Sequence, residues 1–316
     1  MEILVMGGTE FVSSSIAKHM INEGNTVDIF TRGIKKVNYE GIRNHIVGDR
    51  LSPDDLKKCL LDKRYDVIFD ISAYTSEDVE KLTSVINTSK LKRYIFCSSG
   101  AVYKPTEKMV AEDYPRGFNN NWNDYGLNKK KAEDYLFDLY KTDNFPITIF
   151  RPTYIYGDGN NLYREVYLFD RINKGLDIPI PKGYNKTQFI HINDLVRVFE
   201  SAIYCNKSIG EVYNVTHREQ ITWEYLVKTA LKVMDKKVKI HKVDYSTAAI
   251  SPREFFPFRD VTYLFNIEKL KYHNLYVPKI GLEEGLNSTY KWYINEKPQL
   301  QDLKMNRVEF AIKYTD

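Results

Sequence analysis

The sequence predicts a doubly wound α/β protein, a parallel Rossmann-type sheet with a smaller α/β lobe set against it. Three observations carry that prediction. Short apolar runs alternate with segments of helical spacing through about the first 150 residues. The runs are apolar almost throughout, as strands buried on both faces are. The first run ends in a glycine turn, Met6-Gly7-Gly8-Thr9, which opens a helix. Strands joined by helical crossovers form parallel sheets covered on both faces.

The elements follow in order. Ile3 to Met6 is the first strand, and Phe11, Val12, Ile16, Ala17 and Met20 space out a helix over residues 11–23. Thr26–Phe30 and His45–Val47 are the next strands, the latter closed by Gly48-Asp49. Ser52-Pro53-Asp54 reads as a cap and first helical turn. A strand over Val67–Ile71, a helix from Ser76, a strand over Arg93–Cys97, a long helix from Asp124 to about Tyr140 and a strand over Ile147–Phe150 complete the first half. After Arg151-Pro152 the pattern turns irregular. Phe189–Ile192, a helix from Asn193 and a strand over Glu211–Val215 read as the sheet resuming. The expected division is residues 1–152 with 189–217 for a dinucleotide-binding domain, and 153–188 with 218–316 for a substrate lobe.

Composition narrows the function classes. The net charge is +4, from 46 basic and 42 acidic residues, too balanced for the basic stripe of a nucleic-acid binder. Lys129-Lys130-Lys131 is followed by Glu133 and Asp134 and reads as a solvated helix face. Three cysteines, Cys59, Cys97 and Cys205, lack metal-ligand spacing and read as reduced thiols. No run approaches the ~18 apolar residues of a membrane span. The opening Met1-Glu-Ile-Leu-Val-Met6 runs directly into a strand, so no leader is expected and cytoplasmic residence is. His191, between Ile190 and Ile192, reads as a core histidine.

The chemistry centres on Tyr125-Gly-Leu-Asn-Lys129, with Ser98-Ser99 upstream. A tyrosine and a lysine four apart on a helix share one face. The Lys129 ammonium is expected to favour the Tyr125 phenolate, and a phenol so tuned takes a proton from an alcohol. Ser99 is placed to hold that alcohol. The glycine turn supplies the setting for a hydride acceptor, because amides and a helix dipole there receive a pyrophosphate. Of the pattern Gly-x-x-Gly-x-x-Gly only Gly7 fits; Glu10 and Ser13 replace the others. The second strand ends Phe30-Thr31-Arg32, without the acid that bonds a ribose 2′-hydroxyl. Arg32 points to NADP. An ion pair between Arg32 and Glu10, the expected arrangement, would occupy that cation and point to NAD. Asp49 is placed to reach an adenine.

These residues together resemble the extended short-chain dehydrogenase/reductases of the NAD-dependent epimerase/dehydratase family. The resemblance runs over residues 1–295. It rests on Gly7-Gly8-Thr9, Gly48-Asp49, Ser98-Ser99-Gly-Ala-Val-Tyr103, Tyr125-x-x-x-Lys129, Arg151-Pro-Thr-Tyr-Ile-Tyr-Gly157, Phe189-Ile-His-Ile-Asn-Asp194 and Val212-Tyr-Asn-Val215. It implies catalytic Ser99, Tyr125 and Lys129, with Lys129 on the nicotinamide ribose. It implies cofactor contacts at Gly7, Thr9, Glu10, Phe11, Arg32, Asp49, Lys129 and Tyr154, with NAD expected and NADP the alternative. The implied activity is epimerisation or ketoreduction of a sugar or nucleotide-sugar secondary alcohol. The alternative is a non-catalytic dinucleotide-sensing or RNA-associated protein.

Two departures qualify the substrate. Gly100-Ala101 stand where the family's dehydratases carry an Asp-Glu pair, which argues against 4,6-dehydration. Tyr154 stands where many nucleotide-sugar epimerases place an asparagine on the sugar diphosphate; Lys186 and Arg253 are the lobe's candidate diphosphate cations. Asp70-Ile-Ser-Ala-Tyr74 and Phe256-Pro-Phe-Arg-Asp260 resemble a bacterial branch related to chloroplast stem-loop RNA-binding proteins. Family members pair through two helices, here about 76–88 and 124–140. The apolar Tyr135, Leu136, Leu139 and Tyr140 make a homodimer the expectation.

Overall fold

The computed structural model describes residues 1–315. Seven strands form one parallel sheet: β1 (Glu2–Met6), β2 (Thr26–Thr31), β3 (Ile42–Val47), β4 (Val67–Asp70), β5 (Arg93–Cys97), β6 (Ile147–Pro152) and β10 (Glu211–Val215). Their spatial order is β10-β6-β5-β4-β1-β2-β3, so the chain reverses direction across the sheet between β1 and β4. β7 (Tyr154–Tyr156) and β9 (Phe189–His191) pair separately, as do β8 (Ile178–Pro181) and β11 (Ile240–Val243). The expected return to the sheet is thus half right. Glu211–Val215 joins it beside β6, whereas Phe189–His191 leaves it for β7.

Local chemistry explains the helices of the first half: α1 (Phe11–Asn22), α2 (Pro53–Leu60), α3 (Ser76–Thr83) and α4 (Asp124–Asp143). The Ser52 hydroxyl accepts from the Asp55 amide and Pro53 opens α2 where its missing donor costs nothing. Thr75 and Asp78 form a reciprocal capping box on α3. Asn144 ends α4 in the left-handed region at φ 51°. The second half carries α5 (Glu165–Asn173), α6 (Ile192–Ile203), α7 (Trp223–Val233), α8 (Glu268–Tyr272), α9 (Leu282–Glu296) and α10 (Val308–Ile312).

Three apolar cores result. One lies between the sheet and α1 with α6, around Ile3, Val5, Ile16, Phe150 and Phe199. A second lies on the other face with α2, α3 and α4. The third fills the lobe and is strongly aromatic, with Tyr154, Tyr156, Phe189, Trp223, Phe256, Phe258 and Tyr263. The second core corrects the basis of the dimer expectation. Leu136 is fully buried in it, and Tyr135, Leu139 and Tyr140 pack against it. Their apolar area is used within the chain, while Glu77, Glu80, Lys131 and Asp138 face outward. Among the described residues no helix is long and apolar enough to cross a membrane.

Candidate functional site

The site lies at the carboxyl ends of the strands, beside the reversal in strand order, where open α/β sheets bind ligands. A cavity of about 640 Å³ opens between the glycine turn, the ends of β2 and β3, and Tyr74. Gly7, Thr9, Glu10, Phe11, Arg32 and Asp49, six of the residues expected to contact cofactor, all line it.

The turn works without the missing glycines. Gly7 has φ +107°, and a Cβ there would stand 2.8 Å from the Ser13 Cβ. Ser13 is tolerated because its hydroxyl folds back onto the Glu10 carbonyl at 2.9 Å. Gly8, at φ +128°, would press a Cβ to 2.7 Å from Ile29, so it too must be glycine. Strain moves to Phe11, a non-glycine residue at φ 34°. Glu10 gives α1 no side-chain cap, and while the Ser13 and Ser14 amides donate to the Glu10 carbonyl, Phe11 and Val12 line the cavity with their amides uncapped. An uncapped helix start over a cradle that only glycine fits suits a pyrophosphate.

The expected Glu10–Arg32 pair does not form. Glu10 pairs instead with Lys35 and accepts from the Asn161 amide at 3.2 Å. Lys35 follows β2 and Asn161 belongs to the segment between β7 and α5, so this carboxylate ties three stretches of chain over the cavity. Asp49 already accepts from the Leu51 amide at 2.9 Å.

Ser98 and Ser99 divide their work. Ser98 is buried and donates to Glu133 at 2.5 Å. Glu133, on α4, is held by Arg151 at 2.6 and 2.9 Å and by Arg116 at 2.8 Å. Arg151 also reaches the Tyr103 hydroxyl at 2.7 Å, which donates to Asn214 at 2.6 Å. This bracket fixes α4 against β5, β6 and β10. Ser99 turns the other way: its hydroxyl accepts from the Ala101 amide at 3.2 Å and lies near the phenols of Tyr125 and Tyr263. Gly126 allows the close approach of α4, since a Cβ there would lie 2.1 Å from the Ala101 carbonyl oxygen.

The expected tuning of Tyr125 by Lys129 is not what the structure holds. Lys129 is buried, and its ammonium donates to the carbonyls of Ala73 and Cys97, each at 2.7 Å, with the Phe96 ring 4.8 Å away. Burial pushes its pKa down. Tyr125 is 38 % exposed, yet the crowding around its hydroxyl pushes the phenol above its ordinary value. The Ser99 hydrogen bond and the charge of Arg164 act in the opposite direction. The spacing of Tyr125 and Lys129 was readable from the helix period; the pull of two backbone carbonyls on the ammonium was not.

Tyr154 lies away from the cavity, in the lobe's aromatic core, against the expectation of a cofactor contact. Its hydroxyl is buried without a well-formed hydrogen bond, although the Arg259 amide is nearby. The Arg164 guanidinium stacks over its ring at 5.2 Å, and that of Arg259 over Trp122 at 4.5 Å. Arg253 is near both and opposes their charges, but is itself paired with Asp302 at 2.5 Å. Burial pushes the pKa values of Arg164 and Arg259 down. Among the described residues neither has a carboxylate partner. A second cavity of about 420 Å³ begins at Gly100 and is walled by Trp122, Asp260, Tyr263 and Phe265. Tyr263, Arg164, Arg259 and Trp122 are candidate site residues that sequence reasoning missed. Arg259 lay within a quoted motif, Phe256-Pro-Phe-Arg-Asp260; the others carried no local signal. His191 is buried, accepts from the Asn193 amide at 3.3 Å and is pushed down to about 4 by burial, as a core histidine.

This chain belongs to the NAD dependent epimerase/dehydratase family, whose sequence pattern matches residues 3–216. It is 29% identical over 312 residues to the chloroplast stem-loop binding protein of 41 kDa b of Arabidopsis thaliana, covering 92% of this chain and 78% of that protein. Its fold matches dTDP-glucose 4,6-dehydratase of Bacillus anthracis, solved with NAD, at a TM-score of 0.79 and 20% identity, over 95% of this chain and 98% of that one. It also matches UDP-glucuronic acid 4-epimerase of Bacillus cereus, solved with UDP-glucuronic acid and NAD, at a TM-score of 0.77 and 22% identity, over 94% and 100% of the two chains.

Proposed function

We propose that this protein is an NAD(P)-dependent epimerase or ketoreductase that acts on a secondary alcohol of a sugar carrying an anionic group, such as a nucleotide sugar. The observation that carries the reading is that the Ser99 hydroxyl lies near the phenols of Tyr125 and Tyr263, with Tyr125 beside Tyr74 on the wall of a dinucleotide-sized cavity and the charge of Arg164, which has no carboxylate partner among the described residues, acting on the same phenol.

The cavity fits a nicotinamide dinucleotide, which supplies a hydride acceptor when bound. Gly7, Thr9 and Phe11 offer backbone to its pyrophosphate, and the cation it brings opposes the upward push on Tyr125. Ser99 orients the substrate alcohol and the Tyr125 oxygen takes its proton. Lys129 fixes the ends of β4 and β5 through two carbonyls and so sets the floor on which the reacting groups lie. Arg164 and Arg259, stacked on Tyr154 and Trp122, bind the anionic group, most simply a phosphate or diphosphate. The reading leaves out 4,6-dehydration. No side chain fits at position 100, where a Cβ would stand 1.9 Å from the Phe265 ring.

The test is Tyr125→Phe, assayed with UDP-sugars and sugar phosphates by product NMR. Loss of about 10²-fold or more in rate, with cofactor affinity unchanged, is expected. Full activity in the variant rules the mechanism out. A homodimer through α3 and α4 and cytoplasmic residence belong to the same reading. The outward face of those helices is charged, so the contact is polar, and sedimentation of a single ~37 kDa species at micromolar concentration removes it.

A second reading, association with structured RNA, is supported by the likeness to the chloroplast stem-loop binding protein. The mild net charge of +4 weighs against it. Retention of a stem-loop RNA in a mobility-shift assay at physiological salt would support it.

A further inference from the structure

We infer that His19, Glu23 and Glu200 form a binding site for a divalent transition cation such as Zn²⁺, which clips α1 to α6. The site stands apart from the cavity beside the glycine turn. His19 lies about 12 Å along α1 from Phe11, at about 1.5 Å per residue.

α1 and α6 share one core on one face of the sheet, with Ile16, Ala17 and Met20 from the first and Val196, Phe199 and Ile203 from the second. That packing holds both helices rigid, as a site with set geometry needs. His19 lies in the last turn of α1, and Glu23 caps its end four residues on, so the two share a side of the helix. Glu200 comes from α6 and meets them. Its carboxylate lies 2.8 Å from the His19 Nε2, with the two side chains only 22 % and 19 % exposed. Donor atoms of all three residues lie within 4.8 Å of one another.

A pair between His19 and Glu200 accounts for two of the three groups. It does not account for Glu23, which brings a second carboxylate to the same imidazole and has no lysine or arginine paired with it among the described residues. The cations nearest in sequence are engaged elsewhere. Lys18 lies over the Tyr39 ring at 5.2 Å, and Arg197, one turn before Glu200, over the Tyr276 ring at 5.7 Å. Two carboxylates with a neutral imidazole carry two negative charges, which one divalent cation balances. Imidazole nitrogen with carboxylate oxygen suits zinc and its neighbours, whereas magnesium and calcium take oxygen donors. The proton that His19 and Glu200 share leaves as the ion enters. The His19 nitrogen and both carboxylates then face the ion, and water takes the fourth tetrahedral position.

The test is equilibrium dialysis of the full chain, first stripped with a chelator, against Zn²⁺ and against Mg²⁺. The wild type is compared with His19→Ala, Glu200→Gln and Glu23→Gln. One Zn²⁺ per chain is expected at about micromolar affinity, with no uptake of Mg²⁺ at the same concentration. Each variant should bind Zn²⁺ about 10-fold or more weakly. Glu23→Gln separates a metal site from an ion pair, because it leaves the His19–Glu200 pair intact. Zn²⁺ should also raise the melting temperature of the wild type and leave that of His19→Ala unmoved. The inference is overturned by folded wild type that takes up no Zn²⁺, by binding that is unchanged in His19→Ala or in Glu23→Gln, or by equal uptake of Mg²⁺.

Discussion

The sheet's carboxyl edge and the lobe hold their inward-facing arginines in different ways. At the sheet, Arg151 and Arg50 are each matched to a carboxylate. Arg151 has both oxygens of Glu133, and Arg50 has both oxygens of Asp70. In the lobe, Arg164 and Arg259 lie on aromatic faces with no carboxylate, and Arg253 adds a third positive charge nearby. Desolvating a charge without a partner is costly. Buried Arg93 meets that cost with the carbonyls of Ala202, Lys92 and Cys205, whereas among the described residues no such set of acceptors surrounds Arg164 and Arg259. Matched arginines fix the strands and α4; on the proposed reading, Arg164 and Arg259 await an anion.

The largest effect should come from breaking the matched set. Glu133→Gln keeps the shape but strips the charge that faces Arg151 and Arg116. Such a change leaves a buried guanidinium uncompensated and should cost about 3–5 kcal/mol. The denaturant midpoint measures it, and a loss under 1 kcal/mol would show that the bracket is not what holds α4.

Glu165 sharpens the comparison, because it adjoins Arg164 in sequence and yet does not neutralise it as an ion pair. Burial pushes this carboxyl up to about 7 from 4.5. A folded group that keeps its proton longer than the unfolded chain stabilises most at low pH. That contribution is fully present below pH 4.5, falls between 4.5 and 7, and is gone above. Its slope is about −1.4 kcal/mol per pH unit. His191, pushed down to about 4 from 6.5, acts oppositely and loses stability as pH falls through that window. The two therefore oppose each other from pH 4.5 to 6.5. Glu165→Gln removes a falling contribution, so the stability of the variant should climb with pH relative to the wild type there; a profile parallel to that of the wild type would contradict the assignment.

The smallest expected effect on stability belongs to the unmatched set. Arg259→Met removes a partly buried cation that had no carboxylate, so stability should stay within about 1 kcal/mol of the wild type or rise. Ligand response should change sharply. Millimolar pyrophosphate is expected to raise the wild-type melting temperature by mass action and to raise that of Arg259→Met by less, the remainder coming from the glycine turn. Equal shifts in both proteins would place the anion elsewhere.

Much of the framework was legible from local pattern. The strands of the first half and the cap at Ser52 depend on neighbours within a few residues, where apolar periodicity and side-chain-to-amide hydrogen bonds act. The site was legible only in part. Tyr125 and Lys129 share a helix face by spacing alone, but Lys129 turns to the carbonyls of Ala73 and Cys97, 56 and 32 residues away. Glu10 was recognisable as a charge out of place, while its partners proved to be Lys35 and Asn161 rather than Arg32. Phe189–His191 has the apolar look of a sheet strand, and only competition for edges sends it to β7.

The sequence by itself determined the parallel sheet, the glycine turn at Gly7 and the Ser99, Tyr125 and Lys129 set, because each is written in short-range periodicity and steric need. Tertiary structure alone decided which charges are spent and which stay open: Glu10 on Lys35, Arg151 on Glu133, Arg32, Arg164 and Arg259 on no carboxylate. The reason is physical. The partner of a charge is the nearest opposite charge in space after desolvation, and that proximity is set by how the lobe folds against the sheet.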